Sequence, residues 1–198
     1  MQRVFDIIIS ILVLIIFSPI FLLLMILIPL ESKGSPFYIQ KRVGKDGKEF
    51  NLIKFRSMYL NSDKKGLLTV GSSDRRITRI GKFIRKYKID ELPQFINVLI
   101  GDMSIVGPRP EVKKYVDLYT DEQKEILKVR PGITDFASVE YFNENDILAN
   151  SDDPEKTYIE EIMPAKIELN KKFITNPTLK NYFVIILKTI LKLFKQGK

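Results

Sequence analysis

The chain contains neither cysteine nor histidine among its 198 residues. Without cysteine there is no disulfide, no thiol nucleophile and no thiolate metal site. Without histidine the commonest general base and zinc ligand is missing as well. Chemistry is left to Asp, Glu, Lys, Arg, Tyr, Ser and Thr, and any metal must be held by oxygen, which favours a hard cation such as Mg2+ over zinc. Negative charge is also short: 24 Asp and Glu stand against 32 Lys and Arg, a net +8. Such a balance calls for an anionic partner, whether anionic lipid, nucleic acid or a phosphorylated substrate. The length suits one soluble domain plus an anchor, with no second catalytic domain expected.

What is there begins with an apolar run. Ile7 to Leu30 carry no charge, and at about 1.5 Å per helical residue they are long enough for a hydrocarbon core of about 30 Å. The run exceeds the roughly 7–15 apolar residues of a signal peptide and no small-residue cleavage site follows, so it is expected to stay in the mature protein. Ser18-Pro19 lies inside it, and an interior proline removes a backbone hydrogen bond and kinks the helix. Two topologies follow: a tilted span, or a helix-break-helix that enters and leaves the same face. Arg3 and the terminal amine on one side, with Lys33, Lys41 and Arg42 on the other, favour the same-side hairpin, while Asp6 and Glu31 dilute that bias.

Turn residues at 33–36 and 44–47 bracket two short strands, Phe37 to Gln40 and Glu49 to Phe55, expected to pair as a hairpin. Lys54 and Arg56 alternate along the second, which would set both cations on one face. Asn61 to Ser73 reads as a mobile loop beside the site. Asp74 is placed to cap a helix whose cations Arg75, Arg79, Lys82 and Lys86 form a stripe, with Ile77, Ile80, Phe83 and Ile84 on the buried side. That stripe suits either a lipid headgroup surface or a phosphate-binding wall. Glu111 to Lys128 has the pattern of an amphipathic helix and Asn143 to Pro154 that of a loop. Tyr158 to Ile174 reads as a helix bent or split at Pro164. Leu179 to Lys195 carries Lys188, Lys192 and Lys195 on one side of an apolar helix, suited to an interface or to a core.

Asp90-Glu91-Leu92-Pro93 has two readings. As a helix start, Asp90 is a cap, Glu91 a first-turn acid and Pro93 a tolerated early proline. As a site, two adjacent carboxylates follow a run of cations and precede Gly107-Pro108-Arg109-Pro110, whose prolines present Arg109 from a stiff support for bidentate phosphate binding. Val129-Arg130-Pro131-Gly132-Ile133-Thr134 repeats the device.

Taken together, Ser18-Pro19, Lys54-Phe55-Arg56-Ser57-Met58, Asp90-Glu91-Leu92-Pro93-Gln94, Gly101-Asp102-Met103-Ser104, Gly107-Pro108-Arg109-Pro110 and Arg130-Pro131-Gly132-Ile133-Thr134 resemble the bacterial sugar transferases, small monotopic polyprenyl-phosphate phosphoglycosyl transferases that begin glycan assembly on a lipid carrier. The resemblance implies a small helix-rich single domain of α/β (α+β) class with a short β-hairpin. It places a re-entrant membrane hairpin at 1–32, broken at Ser18 and Pro19, and a cytoplasmic catalytic domain at 33–198 ending in an interfacial amphipathic helix. The setting implied is the cytoplasmic face of a bacterial inner membrane.

The implied activity is that of a UDP-sugar:undecaprenyl-phosphate sugar-1-phosphate transferase releasing UMP, the first membrane step of O-antigen, capsule, exopolysaccharide or protein-glycan synthesis. Asp90 would be the nucleophile and a ligand of Mg2+ (Mn2+ as the alternative ion), and Glu91 its acid/base partner. Lys54, Arg56, Arg85, Arg109 and Arg130 would hold phosphate. Partners implied are the UDP-sugar, undecaprenyl phosphate and membrane lipid. Nucleic acid is disfavoured by the apolar run and by the absence of aromatics interleaved with the basic stripe. The rival readings are a non-covalent Mg2+-dependent phosphotransferase and a lipid-binding scaffold without catalysis. The sequence sets no oligomeric state, sugar or pathway. Two departures stand out: Asp135, Phe136, Ala137 and Ser138 follow Thr134 where the family continues with Gly and later a Gln, and an acidic position of the family falls on Asn170, with Glu168 close by.

Overall fold

Two helices set at 60° to each other open the chain in the computed structural model, which describes residues 1–62, 66, 68–71 and 74–196. α1 (Gln2–Ile16) and α2 (Ser18–Glu31) meet at Phe17. The Ser18 hydroxyl donates to Ile15 O at 2.8 Å, and Pro19 sits in the first turn of α2, where a missing N–H has no helical partner to lose. Among the described residues no single helix is long and apolar enough to cross a membrane, whereas the bent pair is so when taken together.

One side of α1 is bare and apolar, with Ile15 63% and Ile16 67% exposed. Its other side docks on the rest of the chain. The Arg3 guanidinium donates to Val98 O at 2.6 Å and Leu99 O at 3.0 Å. Asp6, 2% exposed, accepts from Ser104 Oγ at 2.8 Å, Ile105 N at 3.0 Å and Tyr182 OH at 2.9 Å. A buried carboxylate is tolerable only when satisfied in this way. Asp6→Ala strands three donors, so it is expected to lower stability by about 3 kcal/mol or more. Chemical unfolding in detergent, with the exposed Ile8→Ala as control, checks this; matching midpoints would remove Asp6 as an anchor.

β1 (Phe37–Val43) and β2 (Glu49–Phe55) pair antiparallel, Phe37 opposite Phe55 and Val43 opposite Glu49, around a 3-10 turn at Lys45–Gly47. The hairpin is thus as expected, with its first strand extended to Val43. α3 (Arg79–Lys86) begins five residues after Asp74, and its cap is Thr78, whose Oγ1 accepts from Gly81 N at 2.9 Å. Asp74 is taken instead by the Arg76 backbone and guanidinium. Arg75 therefore lies outside the helix, and Phe83, 57% exposed, is not on its buried side. Glu31 at the end of α2 supplies further acceptors to α3, from Arg79 N at 2.6 Å and Ile80 N at 2.9 Å. The stretch from Asn61 to Ser73 lies in part outside the described residues.

A 3-10 turn (Ile89–Glu91) leads into α4 (Gln94–Ile100), and β3 (Ser104–Val106) follows. In place of one amphipathic helix over Glu111 to Lys128 there are α5 (Lys113–Val116) and a 3-10 segment (Gln123–Lys128). β4 (Gly132–Thr134) pairs parallel with β3, Ser104 beside Gly132 and Val106 beside Thr134. α6 (Phe136–Glu140) and α7 (Glu144–Ala149) come next, so the expected loop over Asn143 to Pro154 contains a helix. α8 (Pro154–Thr157), a π-helical turn (Tyr158–Ile162) and α9 (Met163–Thr175) follow as one unbroken helical run, so the chain is not split at Pro164; a π turn stands just before it instead. α10 (Leu179–Gln196) closes it, burying Tyr182 and Ile185 while leaving Leu187, Leu191 and Phe194 exposed. The result is a small helix-rich α+β chain.

Three apolar clusters hold these pieces. Leu24, Ile28, Phe55 and Ile84 join α2 to β2 and α3. Leu52, Val98, Met103, Ile105, Tyr182 and Ile185 join β2, α4, β3 and α10. Tyr115, Tyr158, Ile162, Met163 and Ile167 build the third around α5 and α9.

Candidate active site

The 3-10 turn that carries Asp90 and Glu91 is entered through Lys88 in the left-handed conformation (φ 55°, ψ 21°), which is unfavourable for a side chain with a Cβ. Neither acid caps a helix: α4 has Pro93 at its N-cap and no side-chain cap bond. Asp90 is 5% exposed, and its Oδ1 is buried with no hydrogen-bond partner among the described residues. Gln94, one turn further on and 1% exposed, has a buried Nε2 likewise unpartnered. An orphaned acceptor and an orphaned donor so close in sequence are costly unless something else uses them.

Glu91 is the opposite case. Arg109 grips it with Nη2 on Oε1 at 2.6 Å and Nη1 on Oε2 at 3.3 Å, and Lys54 Nζ reaches Oε1 at 3.3 Å. The two acids therefore titrate apart. Burial pushes the Asp90 carboxyl up, and the Glu91 charge beside it pushes the same way. Burial acts on Glu91 too, but Arg109, then Lys54 and Lys88, outweigh it and hold its carboxyl well below the usual range. Burial lowers the Lys54 ammonium to about 8.

Each cation is aimed by a fold contact. Asn97, fully buried on α4, accepts from Ile53 N at 3.0 Å and donates to Asn51 O at 2.8 Å, locking α4 to the edge of β2 and bringing Lys54 over Glu91. Arg85 on α3 donates to Thr69 Oγ1 at 3.0 Å and Ser57 Oγ at 3.4 Å, and its charge acts on Asp90. Arg109 rides on a turn riveted to β4, with Gly107 N on Thr134 O at 3.0 Å and Gly132 N on Pro108 O at 2.9 Å. The two glycines make this approach possible: a Cβ on Gly132 would lie 2.1 Å from Gly107 N.

Lys54, Arg85, Arg109, Asp90 and Glu91 are thus gathered in one place. Arg56 and Arg130 are not directed there. Arg56 is 4% exposed and turns back onto the carbonyls of Ser32, Lys33 and Gly34 past the end of α2, so it does not share a face with Lys54. Arg130 Nε donates to Gly101 O at 3.0 Å, beyond α4. Among the described residues no group of three or more acids could enclose a metal by itself. A hard ion held by one or two carboxylates, with substrate phosphate and water completing its shell, fits Asp90 Oδ1.

A family model described as bacterial sugar transferase matches residues 1–196. The chain belongs to the bacterial sugar transferase family. A UDP-N-acetylgalactosamine-undecaprenyl-phosphate N-acetylgalactosaminephosphotransferase of Aeromonas hydrophila is 41% identical over 192 residues, 96% of this chain and 42% of that protein. A putative undecaprenyl-phosphate N-acetylgalactosaminyl 1-phosphate transferase of Bacillus subtilis is 47% identical over 121 residues, 61% of this chain and 68% of that one. A UDP-glucose:undecaprenyl-phosphate glucose-1-phosphate transferase of Klebsiella pneumoniae is 41% identical over 141 residues, 70% of this chain and 30% of that one. The chain therefore spans less than half the length of the Aeromonas and Klebsiella relatives.

Asp135 and Asn170, far apart in sequence, meet in space. Asp135, fully buried, accepts from Asn170 Nδ2 at 2.9 Å and from Arg109 N at 2.9 Å. The sequence alone does not link them, and it assigns no role to Gln94, Asn97 or Lys88. The available signal was an amide inside each apolar helical pattern, Asn97 in α4 and Asn170 in α9, where a polar side chain needs a reason.

Proposed function

We propose that this bacterial sugar transferase moves a sugar 1-phosphate from a UDP-sugar to undecaprenyl phosphate through a covalent phosphosugar on Asp90. The observation that carries the reading is a buried aspartate with an oxygen unpartnered among the described residues, set beside a glutamate already neutralised by Arg109 and Lys54. In the first step a carboxylate oxygen of Asp90 attacks the β-phosphorus, the bond to the UMP oxygen breaks, and UMP leaves with that electron pair. In the second an oxygen of undecaprenyl phosphate attacks the same phosphorus, and Asp90 departs as carboxylate, leaving undecaprenyl-diphospho-sugar. A carboxylate is a weak nucleophile, so the reaction depends on positive charge around the phosphoryl group. Arg85, Lys88 and the Lys54–Arg109 pair provide it from three directions. Glu91, its own carboxyl held well below the usual range and so a poor proton acceptor, serves by holding those two cations in place. Mg2+, or Mn2+ in its place, would be held by Asp90 and would supply further neutralisation of the diphosphate when bound.

The bent α1–α2 pair enters and leaves one face of a bacterial inner membrane in this reading, with the catalytic domain on the cytoplasmic side and α10 lying along the interface. The 60° bend, the bare apolar face of α1 and the exposed Leu187, Leu191 and Phe194 of α10 support it. The reaction begins glycan assembly on the lipid carrier.

UMP release from UDP-N-acetylgalactosamine, UDP-glucose and UDP-galactose, each with undecaprenyl phosphate and Mg2+, tests the activity. Release that needs the lipid for turnover is expected with at least one donor. No release with any donor would sink the reading.

A further inference from the structure

Asp135 is fully buried and has no ion pair among the described residues, yet it is heavily used. Its Oδ1 accepts from Ser138 N, capping α6. Its Oδ2 accepts from Arg109 N at 2.9 Å and from Asn170 Nδ2 at 2.9 Å. Three N–H donors from three elements thus converge on two oxygens, and among side chains of this size only a carboxylate can accept from all three. An amide there would set an NH2 group against at least one N–H, inside a site where an unmatched polar group is costly.

Asn170 is used for its donor alone: its Oδ1 is buried without a partner among the described residues. The bond it makes is to the oxygen that also holds the Arg109 backbone. That backbone directly follows the Gly107 and Pro108 contacts to β4, and its guanidinium carries Glu91. The other charges around Arg109 are accounted for. Glu144 of α7 faces it but is matched by Lys166 of α9 at 2.7 Å, and Lys54 of β2 faces Glu91.

We infer that Asp135 and Asn170 form one positioning unit, carrying a single buried carboxylate that fixes Arg109 against Glu91, and that the carboxylate can be borne by either position so long as it is borne by only one. Neither residue touches substrate in this scheme. The inference rests on the proposed role of the Asp90–Glu91 site, and its test has an arm that does not.

Asp135→Ser retains a good helix cap, because Ser ranks with Asp at that position; it removes only the carboxylate. Asn170→Asp alone sets two carboxylates against each other in a buried space. The double variant D135S/N170D restores one. UMP release should fall about ten- to a hundredfold in kcat for each single variant, as when an orienting partner is lost, with KM for the UDP-sugar changed by less than about threefold. The double variant should recover to within about fivefold of the parent, a strongly non-additive cycle. Hydrogen exchange of the Arg109 amide, read by mass spectrometry in nanodiscs, should be at least about tenfold faster in D135S and slow again in the double variant. Single variants that exchange and turn over like the parent would overturn the inference, as would a double variant no better than the worse single one. Should the parent release no UMP, the proposed activity falls, while the exchange arm still decides the inference.

Discussion

Asp90→Asn is expected to lose about 10^6-fold in turnover, the order lost when a covalent nucleophile is removed, and to melt no lower than the parent protein. The rate loss follows because an amide oxygen does not form the acyl phosphate. The unchanged or raised melting temperature follows from the sign of the pKa shift. Burial raises the Asp90 carboxyl in the folded chain, with Glu91 adding to it. A raised carboxyl means that folding favours the protonated form: its contribution is fullest at low pH and is lost as pH rises through the folded value. Where Asp90 is ionised it therefore weighs against the fold, and the neutral amide relieves that weight. Sites that work under such tension are typically more stable when disarmed. UMP release, thermal melting and intact mass on one preparation check both halves. Incubation with UDP-sugar should add a phosphosugar mass to the parent and none to the variant. Activity above about 1% of the parent would exclude Asp90 as the nucleophile, given the scale above.

Glu91→Gln is expected to cost about 10- to 100-fold, the order lost when an orienting partner is removed, and to displace the whole pH profile downward. In the proposed reaction Asp90 acts as the carboxylate, so the acid limb of kcat/KM follows its raised titration. Removing the Glu91 charge takes away the second-largest cause of that rise, and Lys54, released from its ion pair, acts on Asp90 in the same direction. The acid limb moves to lower pH. At the other end the Lys54 ammonium titrates at about 8, depressed by burial and held up by Glu91. Losing Glu91 lets it fall further, so the alkaline limb moves to lower pH as well. A profile measured between pH 5 and 9 distinguishes this from a simple loss of rate. Limbs that stay where the parent has them would show that Glu91 does not set the charge balance of the site.

Asp90 and Glu91 stood out in the sequence as a candidate dyad because so few groups could do chemistry at all, because a cap needs one acid whereas two were present, and because the family pattern falls on them. The helix reading of Asp90 failed for a local reason: Lys88 in the left-handed region starts a tighter turn, which delays α4 to Gln94. Asp74 misled in the same way, its carboxylate being consumed by Arg76 two residues on, so that Thr78 became the cap. The cations were legible as charges but not as directions. Lys54 and Arg56 alternate in sequence, yet Asn97 brings β2 over Glu91 while the carbonyls past the end of α2 capture Arg56. Such choices depend on which acceptors other elements bring near, and no local pattern encodes them. Asp6 was the least legible, since an acid flanking an apolar run reads as its border. Only β3 and α10, about 100 and 176 residues away, give it a purpose.

That acid also decides what kind of object the N-terminal pair is. Arg3 closes the end of α4, Asp6 collects three donors from β3 and α10, and Glu31 completes the start of α3. An excision at residue 32 would uncover each of these joints at once and take from Arg56 the Ser32 carbonyl it donates to. The pair is therefore not a detachable tether but a keystone, and a soluble enzyme is better sought by making the outer face of α1 polar than by cutting the helices away.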